Sequence, residues 1–346
     1  MYSSPSRLLG LVDAFSGLRI AVIGDLIADE FIYGRVARVS REAPVLILQY
    51  DSTEILPGGA GNAANNAAAL GARTRIIGLA GRDEPGKRLH ASLRHVDTTG
   101  LLRLAGYCTP VKTRILAGGV HTAKQQIVRI DRVVSTEYDA KSRAHFSRAA
   151  LKAAGEADAI LVSDYGTGLV TPELARALHK KVASGPRRGK IPILVDSRYD
   201  LLRYRGLTAC TPNESEVEHI LGVTIGDSLD ALERAGRALL RHTRMDAVLI
   251  TRGSRGMELF EAGRQTIHVP IYGSDEVADV TGAGDTVIAT MTLAIAAGGS
   301  FYEAARLANY AGGVVVMKRG TATVSPEELR DALRADDVPM ENRSRE

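Results

Sequence analysis

Five short apolar runs, at residues 19–23, 75–79, 159–162, 191–195 and 247–250, are separated by stretches long enough for helices. They are nearly continuous in Ile, Val, Leu and Ala instead of alternating with polar residues, which is the pattern of strands buried on both faces. Such runs are buried when a sheet is covered on both sides by its own crossover helices. The sequence therefore predicts an α/β fold with a doubly wound, mainly parallel sheet sandwiched by helices. Each run ends in small or acidic residues: Gly24-Asp25, Ala80-Gly81, Ser163-Asp164, Asp196-Ser197 and Thr251-Arg252-Gly253. Open α/β sheets bind ligands beyond the carboxyl ends of their strands, so chemistry is expected there.

Two stretches interrupt this rhythm. Residues 31–53 and 109–132 are strand-like with little helical periodicity, and Gly118-Gly119 reads as a hairpin turn. They predict a small appended β-sheet, either a cover over a binding cleft or a plain surface hairpin. The expected organisation is one domain over residues 1–335 that carries both insertions, followed by a polar tail at 336–346. With 346 residues, 45% of them hydrophobic, the chain has material for a large core, which excludes disordered and fibrous classes. Its net charge of +4 is dispersed along the chain. That is too mild to argue for nucleic acid, and it suits an anionic small molecule held in a local basic pocket. Cys108 and Cys210 form no disulfide or zinc pattern, and the eight histidines form no cluster. The N-terminus lacks a secretory pattern, and the most apolar stretch, 287–297, is about half a bilayer span. The expectation is a soluble cytoplasmic protein without a membrane partner.

The most informative stretch is Asp279-Val280-Thr281-Gly282-Ala283-Gly284-Asp285-Thr286, which runs into that apolar helical segment. Glycines let a ligand approach the backbone, and the first turn of a helix offers unpaired N–H groups at the positive end of its dipole. Together they make a candidate anion site. Asp285 either complements the dipole or, beside a bound phosphate, accepts the proton of an attacking hydroxyl. Cradle and carboxylate together favour phosphoryl transfer. A second glycine-rich element, Pro57-Gly58-Gly59-Ala60-Gly61-Asn62, enters a helix of small residues. It is a tight turn or a close approach to ligand, and the Asn62 amide can read sugar hydroxyls. Asp25 and Asp29 read as hydroxyl acceptors or as helix caps.

Thr211-Pro212-Asn213-Glu214-Ser215-Glu216 has the makeup of a capped helix start. Asn213 and Glu216, three residues apart, could also face one ligand, with oxygen side chains serving Mg²⁺ through water. Thr251-Arg252-Gly253-Ser254-Arg255-Gly256 is a turn, or a set of phosphate contacts made by the Thr251 hydroxyl, Gly253 and Gly256. Gly81-Arg82-Asp83-Glu84-Pro85-Gly86-Lys87-Arg88 mimics a P-loop. It carries Arg88 where Ser or Thr must reach Mg²⁺ and an acidic pair where phosphates would lie, so it reads as an ordinary loop. No G-x-G-x-x-G follows a strand, which argues against a dinucleotide-dependent dehydrogenase.

These residues, in this order, resemble the ribokinase-like carbohydrate kinases of the phosphofructokinase B family, from Gly24-Asp25 to about Leu333. The resemblance implies that Asp285 is the base and that the backbone of Gly282, Ala283 and Gly284 is the anion hole for the γ-phosphate of ATP. It places Asn213 and Glu216 in the element linked to Mg²⁺ and phosphates, and Asn309 with Gly312 beside the adenine pocket. Asp29, Gly58, Gly59 and Asn62 fall on its sugar-binding positions. The two insertions look like the family's lid, which often pairs with the lid of a second subunit, so a homodimer is expected.

Within the family, the chain is similar to the kinase module of the D-glycero-D-manno-heptose 7-phosphate kinases. The stretches that carry this include Arg38-Val39-Ser40-Arg41-Glu42-Ala43-Pro44-Val45, Lys112-Thr113-Arg114, Gln125-Gln126-Ile127-Val128-Arg129, Arg203-Tyr204-Arg205-Gly206 and Lys318-Arg319-Gly320-Thr321. The similarity implies transfer of phosphate to O1 of a phosphosugar. The lid residues Lys112, Arg114, Gln125 and Arg129 are then expected to meet the substrate, because Lys and Arg bind phosphate by charge and forked hydrogen bonds. Two lysines usual in that subfamily are missing, with Thr167 and Arg198 in their places. The sequence also stops where bifunctional members continue into a nucleotidyltransferase module, so adenylylation of the product is expected from another protein. A kinase for another phosphosugar or nucleoside, and an idle sugar- or nucleotide-binding regulator, are the alternative readings. The Asp285 carboxylate counts against idleness, since binding alone has no need of it.

Overall fold

The computed structural model describes residues 4–118, 124–132, 138–185, 191–273, 279–318 and 320–336. The chain opens with α1 (Pro5–Ala14), β1 (Arg19–Gly24), β2 (Leu26–Val39), β3 (Leu46–Gly59), α2 (Ala60–Ala69), β4 (Arg73–Gly81), α3 (Glu84–Ser92) and β5 (Asp97–Leu104). Next come β6 (Val111–Gly118), β7 (Gln125–Arg132), α4 (Ala140–Glu156), β8 (Ala159–Asp164), α5 (Pro172–Ala183), β9 (Ile193–Ser197) and β10 (Ala209–Cys210). The last part holds α6 (Glu214–Leu221), α7 (Leu229–Thr243), β11 (Ala247–Thr251), β12 (Met257–Glu261), β13 (Ile267–Val269), α8 (Ala283–Ala296), α9 (Phe301–Val316) and α10 (Pro326–Asp336).

Nine strands form one sheet in the order β13-β12-β11-β10-β9-β8-β1-β4-β5. Pairing is parallel from β11 to β5, while β12 and β13 add an antiparallel edge. Successive residues of a strand face opposite sides, and in β1 both sides are apolar. Ile20 and Val22 join a core with α1, α2, α8 and α9, whereas Ala21 and Ile23 join a second core with α4, α5 and α7. This two-sided burial is why the strands read as unbroken apolar runs, and each fully buried Ile or Val in them contributes roughly 1.5–3 kcal/mol. Small side chains at Ala60, Ala63, Ala64 and Ala67 of α2 are fully buried and bring that helix close to α8, whose residues from Asp285 to Ala294 are all buried. Among the described residues, no helix is long and apolar enough to cross a membrane.

A separate four-stranded sheet has the order β3-β2-β6-β7. Its first hairpin is longer than the expected 31–53 insertion, because β2 begins at Leu26, two residues beyond the end of β1, and β3 runs on to Gly59. Leu26 and Ala28 are buried in the core and Ile27 is buried beside the cleft, so the strand starts before the polar, strand-like stretch that marked the insertion. The inner halves of β2 and β3 are buried and the outer halves exposed. β6 and β7 pair antiparallel within the expected 109–132 segment. Of the Gly118-Gly119 turn, Gly119 lies outside the described residues, as does the tail after Asp336.

Strands β5, β10, β12 and β13 had no expectation attached. β12 was hidden by Glu258 and Glu261, which are buried yet partnered: Glu258 lies 2.8 Å from His268 Nδ1, and Glu261 pairs with Arg264 at 3.2 Å. The P-loop mimic is not the expected ordinary loop: Gly81 closes β4 and Glu84–Arg88 already belong to α3, because Pro85 in its first turn and the Asp83 cap start a helix there. Asp83 caps α3 by accepting from the Gly86 N–H at 3.1 Å, and it also accepts from the Thr109 N–H and O–H.

Candidate active site

At the carboxyl ends of the core strands, the second sheet and the start of α8 enclose a cleft of about 370 Å³. Asp285 lines it from the first turn of α8 and is buried. Its Oδ2 accepts from Asn62 Nδ2 at 2.8 Å, and its Oδ1 accepts from the Tyr165 O–H at 3.2 Å. Burial pushes the carboxyl up to about 7 with help from the charge of Asp29, against the pull of the Asn62 and Tyr165 hydrogen bonds and of Lys112. A carboxyl in that range sits where a general base works best near neutrality.

Helix α8 starts at Gly282, whose φ of +80° is left-handed and whose first turn has no capping side chain. A Cβ at position 282 would collide with Asn62 Nδ2, so glycine serves both the backbone conformation and the approach of Asn62 to the base. Asp279 anchors the preceding turn by accepting from the N–H groups of Thr281 and Gly320 at 2.9 and 3.0 Å. The Ala283 N–H is engaged by Val280 O at 3.2 Å, so that amide of the expected anion hole is already bonded, while Gly282 and Gly284 line the cleft. Asn62 differs from expectation. Its amide also reaches Gly282 O and Asn66, so it braces the base from α2 instead of lining the cleft.

Cations converge from the second sheet. Arg114 meets Asp29 at 2.6 Å with both side chains largely buried, and Arg129 grips Asp131 with two bonds of 2.7 Å. Lys112 stands 4.7 Å from the centre of the Tyr165 ring, and burial and then the nearby Arg198 push its ammonium down. Among the described residues, neither Lys112 nor the exposed Arg198 has an acidic partner within ion-pair distance. A second cavity of about 300 Å³ shares Lys112, Arg129 and Arg198 with the cleft and adds Thr167 and Tyr199. Gly58 makes room for the Asp29 carboxylate, whereas Gly59 lines the cleft and lies beneath the Tyr165 ring.

The acidic side holds Asp196 at the end of β9 and Glu216 in α6. Asn213 and Glu216 form a reciprocal capping box at 2.9 and 3.0 Å, so the capping reading is realised while both residues also line the cleft. Burial and the neighbouring Glu216 hold Asp196 well above the usual carboxylate range, and burial raises Glu216 as well. Among the described residues no side chain donates to Asp196.

The pfkB family carbohydrate kinase model matches residues 18–328. The chain belongs to the PfkB family of carbohydrate kinases. It is 44% identical over 316 residues to the bifunctional protein HldE of Geobacter sulfurreducens and 38% identical over 322 residues to that of Proteus mirabilis, covering 90% and 92% of this chain. It spans 62% and 65% of those relatives, less than two thirds of their length. In fold it is similar to the Arabidopsis thaliana ribokinase solved with ribose and ATP, at a TM-score of 0.70 and 19% identity over 92% of this chain and 99% of that one. It is equally similar to Escherichia coli phosphofructokinase-2 solved with potassium, at a TM-score of 0.70 and 17% identity over the same shares.

In this kinase some expected site residues lie away from the cleft. Gln125 is at the far end of β7, four residues or about 13 Å of strand from Arg129, and is exposed. Thr251 lines the cleft, but Gly253 and Gly256 shape the turn that follows β11. Asn309 donates to Pro270 O at 2.8 Å and lines a separate cavity of about 610 Å³, and Gly312 packs inside α9 against Val287. Asp25 is neither a hydroxyl acceptor for a ligand nor a helix cap: its buried carboxylate takes the N–H groups of Tyr165 and Thr167 and the Thr167 O–H. Sequence reasoning missed Tyr165 and Thr211, and it named Asp196 only as a strand end. Each sits at or just beyond the carboxyl end of a core strand, which was the available signal.

Proposed function

We propose that this sugar kinase moves the γ-phosphate of ATP to O1 of D-glycero-D-manno-heptose 7-phosphate, giving the 1,7-bisphosphate and ADP. The observation that carries the reading is the placement of Asp285 in one cleft with Lys112, Arg114, Arg129 and Arg198, which suits an acceptor that already carries a phosphate. The similarity to the HldE proteins supports the same choice. Asp285 takes the proton of the acceptor hydroxyl as that oxygen bonds to phosphorus and the β–γ bridge breaks. The first turn of α8 and the Lys112 ammonium meet the charge on the transferring group. The acceptor's own phosphate occupies the adjoining cavity of Lys112, Arg129 and Arg198.

Asp196 and Glu216 are an oxygen-only pair with raised carboxyls in the same cleft, a donor set that fits a hard divalent cation. Mg²⁺ held there, through water at Glu216, would neutralise phosphate charge. The four-stranded sheet serves as the lid, and the reaction belongs in the cytosol, where ATP is supplied.

The test is ATP-dependent phosphorylation by the purified chain across heptose 7-phosphate, sedoheptulose 7-phosphate, fructose 6-phosphate, ribose and adenosine. The expected result is a preference for heptose 7-phosphate of at least about a hundredfold in kcat/KM, because an acceptor lacking the phosphate leaves the half-buried Lys112 ammonium without a counter-charge. Equal rates with ribose would overturn the phosphosugar reading.

We also propose a homodimer through the lid. Val36, Val39, Leu46, Tyr50, Ile127, Val128 and Ile130, all on the second sheet, are exposed, an apolar concentration that a partner would cover. Light scattering at micromolar concentration should give twice the chain mass of 36.9 kDa. A monomer with full activity would remove the dimer from the mechanism.

A further inference from the structure

Beside the cleft, a tight turn at residues 164–168 is held from both sides by buried carboxylates. Asp25 accepts from the Tyr165 N–H at 2.8 Å, the Thr167 N–H at 3.4 Å and the Thr167 O–H at 2.5 Å. Asp164 accepts from the Gly166 N–H at 2.9 Å, the Ser197 O–H at 2.8 Å and the Tyr204 O–H at 2.7 Å. Burying two carboxylates is costly unless each is well bonded, and here Asp25 gives all three of these bonds to the turn while Asp164 ties it to Ser197 and Tyr204. Neither lines the cleft. What the turn delivers to the cleft is Tyr165. Its ring lies over Gly59 and under the Lys112 ammonium, and its O–H reaches Asp285 Oδ1 at 3.2 Å.

We propose that Tyr165 is a positioning residue for the base, and that the Asp25–Thr167 clamp holds the turn that presents it. The inference rests on Asp285 being the base. A carboxylate gripped only by Asn62 at Oδ2 can still swing about its side-chain bonds. A second donor at Oδ1 fixes its plane, and the carboxylate's remaining lone pairs stay open to the acceptor hydroxyl. Thr167 stands where a lysine was expected, and its hydroxyl supplies a donor to Asp25. That hydroxyl is itself oriented by the Tyr138 O–H at 2.9 Å. The charged groups facing Asp285 are Asp29, Asp196 and Lys112, and the Tyr165 bond acts in the same direction as Lys112, favouring the ionised carboxylate.

The experiment uses the full chain and the acceptor turned over fastest in the panel above. Tyr165→Phe keeps the ring and removes the donor. It is expected to lower kcat about tenfold and to move the acid limb of the kcat/KM profile to higher pH by roughly one unit, with KM changed less than kcat. Thr167→Ala is expected to move the limb the same way by a smaller amount, and Thr167→Ser to restore it. Thermal midpoints report folding separately. A folded Tyr165→Phe with the wild-type limb and kcat would overturn the proposal, as would a Thr167→Ser no better than Thr167→Ala. Asp285→Asn in the same assay separates the two levels. Turnover that survives it sinks the base reading itself, whereas an inactive Asp285→Asn beside an unchanged Tyr165→Phe sinks only the positioning role.

Discussion

Asp285→Asn is expected to lower turnover by about two to four orders of magnitude, the usual contribution of a general base. Asparagine keeps the size and one oxygen of the side chain but cannot take a proton, so ATP affinity should stay within about twofold of the parent. The direction of the pH effect follows from the environment. Burial first, and Asp29 in addition, raise the carboxyl to about 7 in the folded protein, so activity in the parent rises as pH increases through that value. The same shift acts on stability with the opposite sign. A carboxyl raised on folding is most favourable below its unfolded value, and that advantage is lost as pH rises through about 7. The variant, which has no charge to bury, should melt no lower than the parent at pH 8. Steady-state kinetics beside calorimetric ATP titration and a melting curve check all three, and near-parental turnover would take Asp285 out of the reaction.

Gly282→Ala should be nearly as severe. At φ +80° an alanine costs about 1–2 kcal/mol, and its Cβ would collide with the amide of Asn62. Relief comes by moving Asn62, which breaks its 2.8 Å bond to Asp285, or by moving the first turn of α8, from which Gly282, Gly284 and Asp285 line the cleft. Either way the base and the anion site lose their mutual geometry. A loss of about a hundredfold in kcat is expected, comparable to removing one preorganised donor from an anion hole. The melting temperature should fall by a few degrees, in line with about 1–2 kcal/mol in a chain of this size. Parental kcat in a folded Gly282→Ala would show that the left-handed start of α8 has no part in catalysis.

The core strands were legible because parallel strands buried on both faces have to be apolar throughout. β1, β8, β9 and β11 begin within two residues of the expected runs and end within two. The Asp279–Thr286 segment was legible for a related reason: a glycine-started apolar helix with one acid in its first turn has few structural uses. β12 was hidden by its two buried glutamates, and the partners that let Glu258 be buried, His268 and Arg252, come from outside the strand. The start of β2 was hidden because Leu26–Ala28, directly after Gly24-Asp25, is too short an apolar stretch to announce a strand of a different sheet.

The chain's residue types and their order determined the layered fold, the strand ends at which chemistry collects, and the glycine–acid segment that marks the family. Those are local or periodic properties, set by which faces must be dry and which backbone angles a residue permits. Tertiary structure decided which polar groups meet. Asn62 and Asp285 are 223 residues apart, and Tyr165 and Asp285 are 120 apart. It directed Asn62 to the base, closed Asp25 on the turn at Thr167, set Asp196 beside Glu216 and carried Gln125 out of reach of the cleft. The physical reason is that a hydrogen bond or an ion pair depends on ångström-scale placement of elements packed from distant parts of the chain, which the spacing of residues along the sequence does not encode.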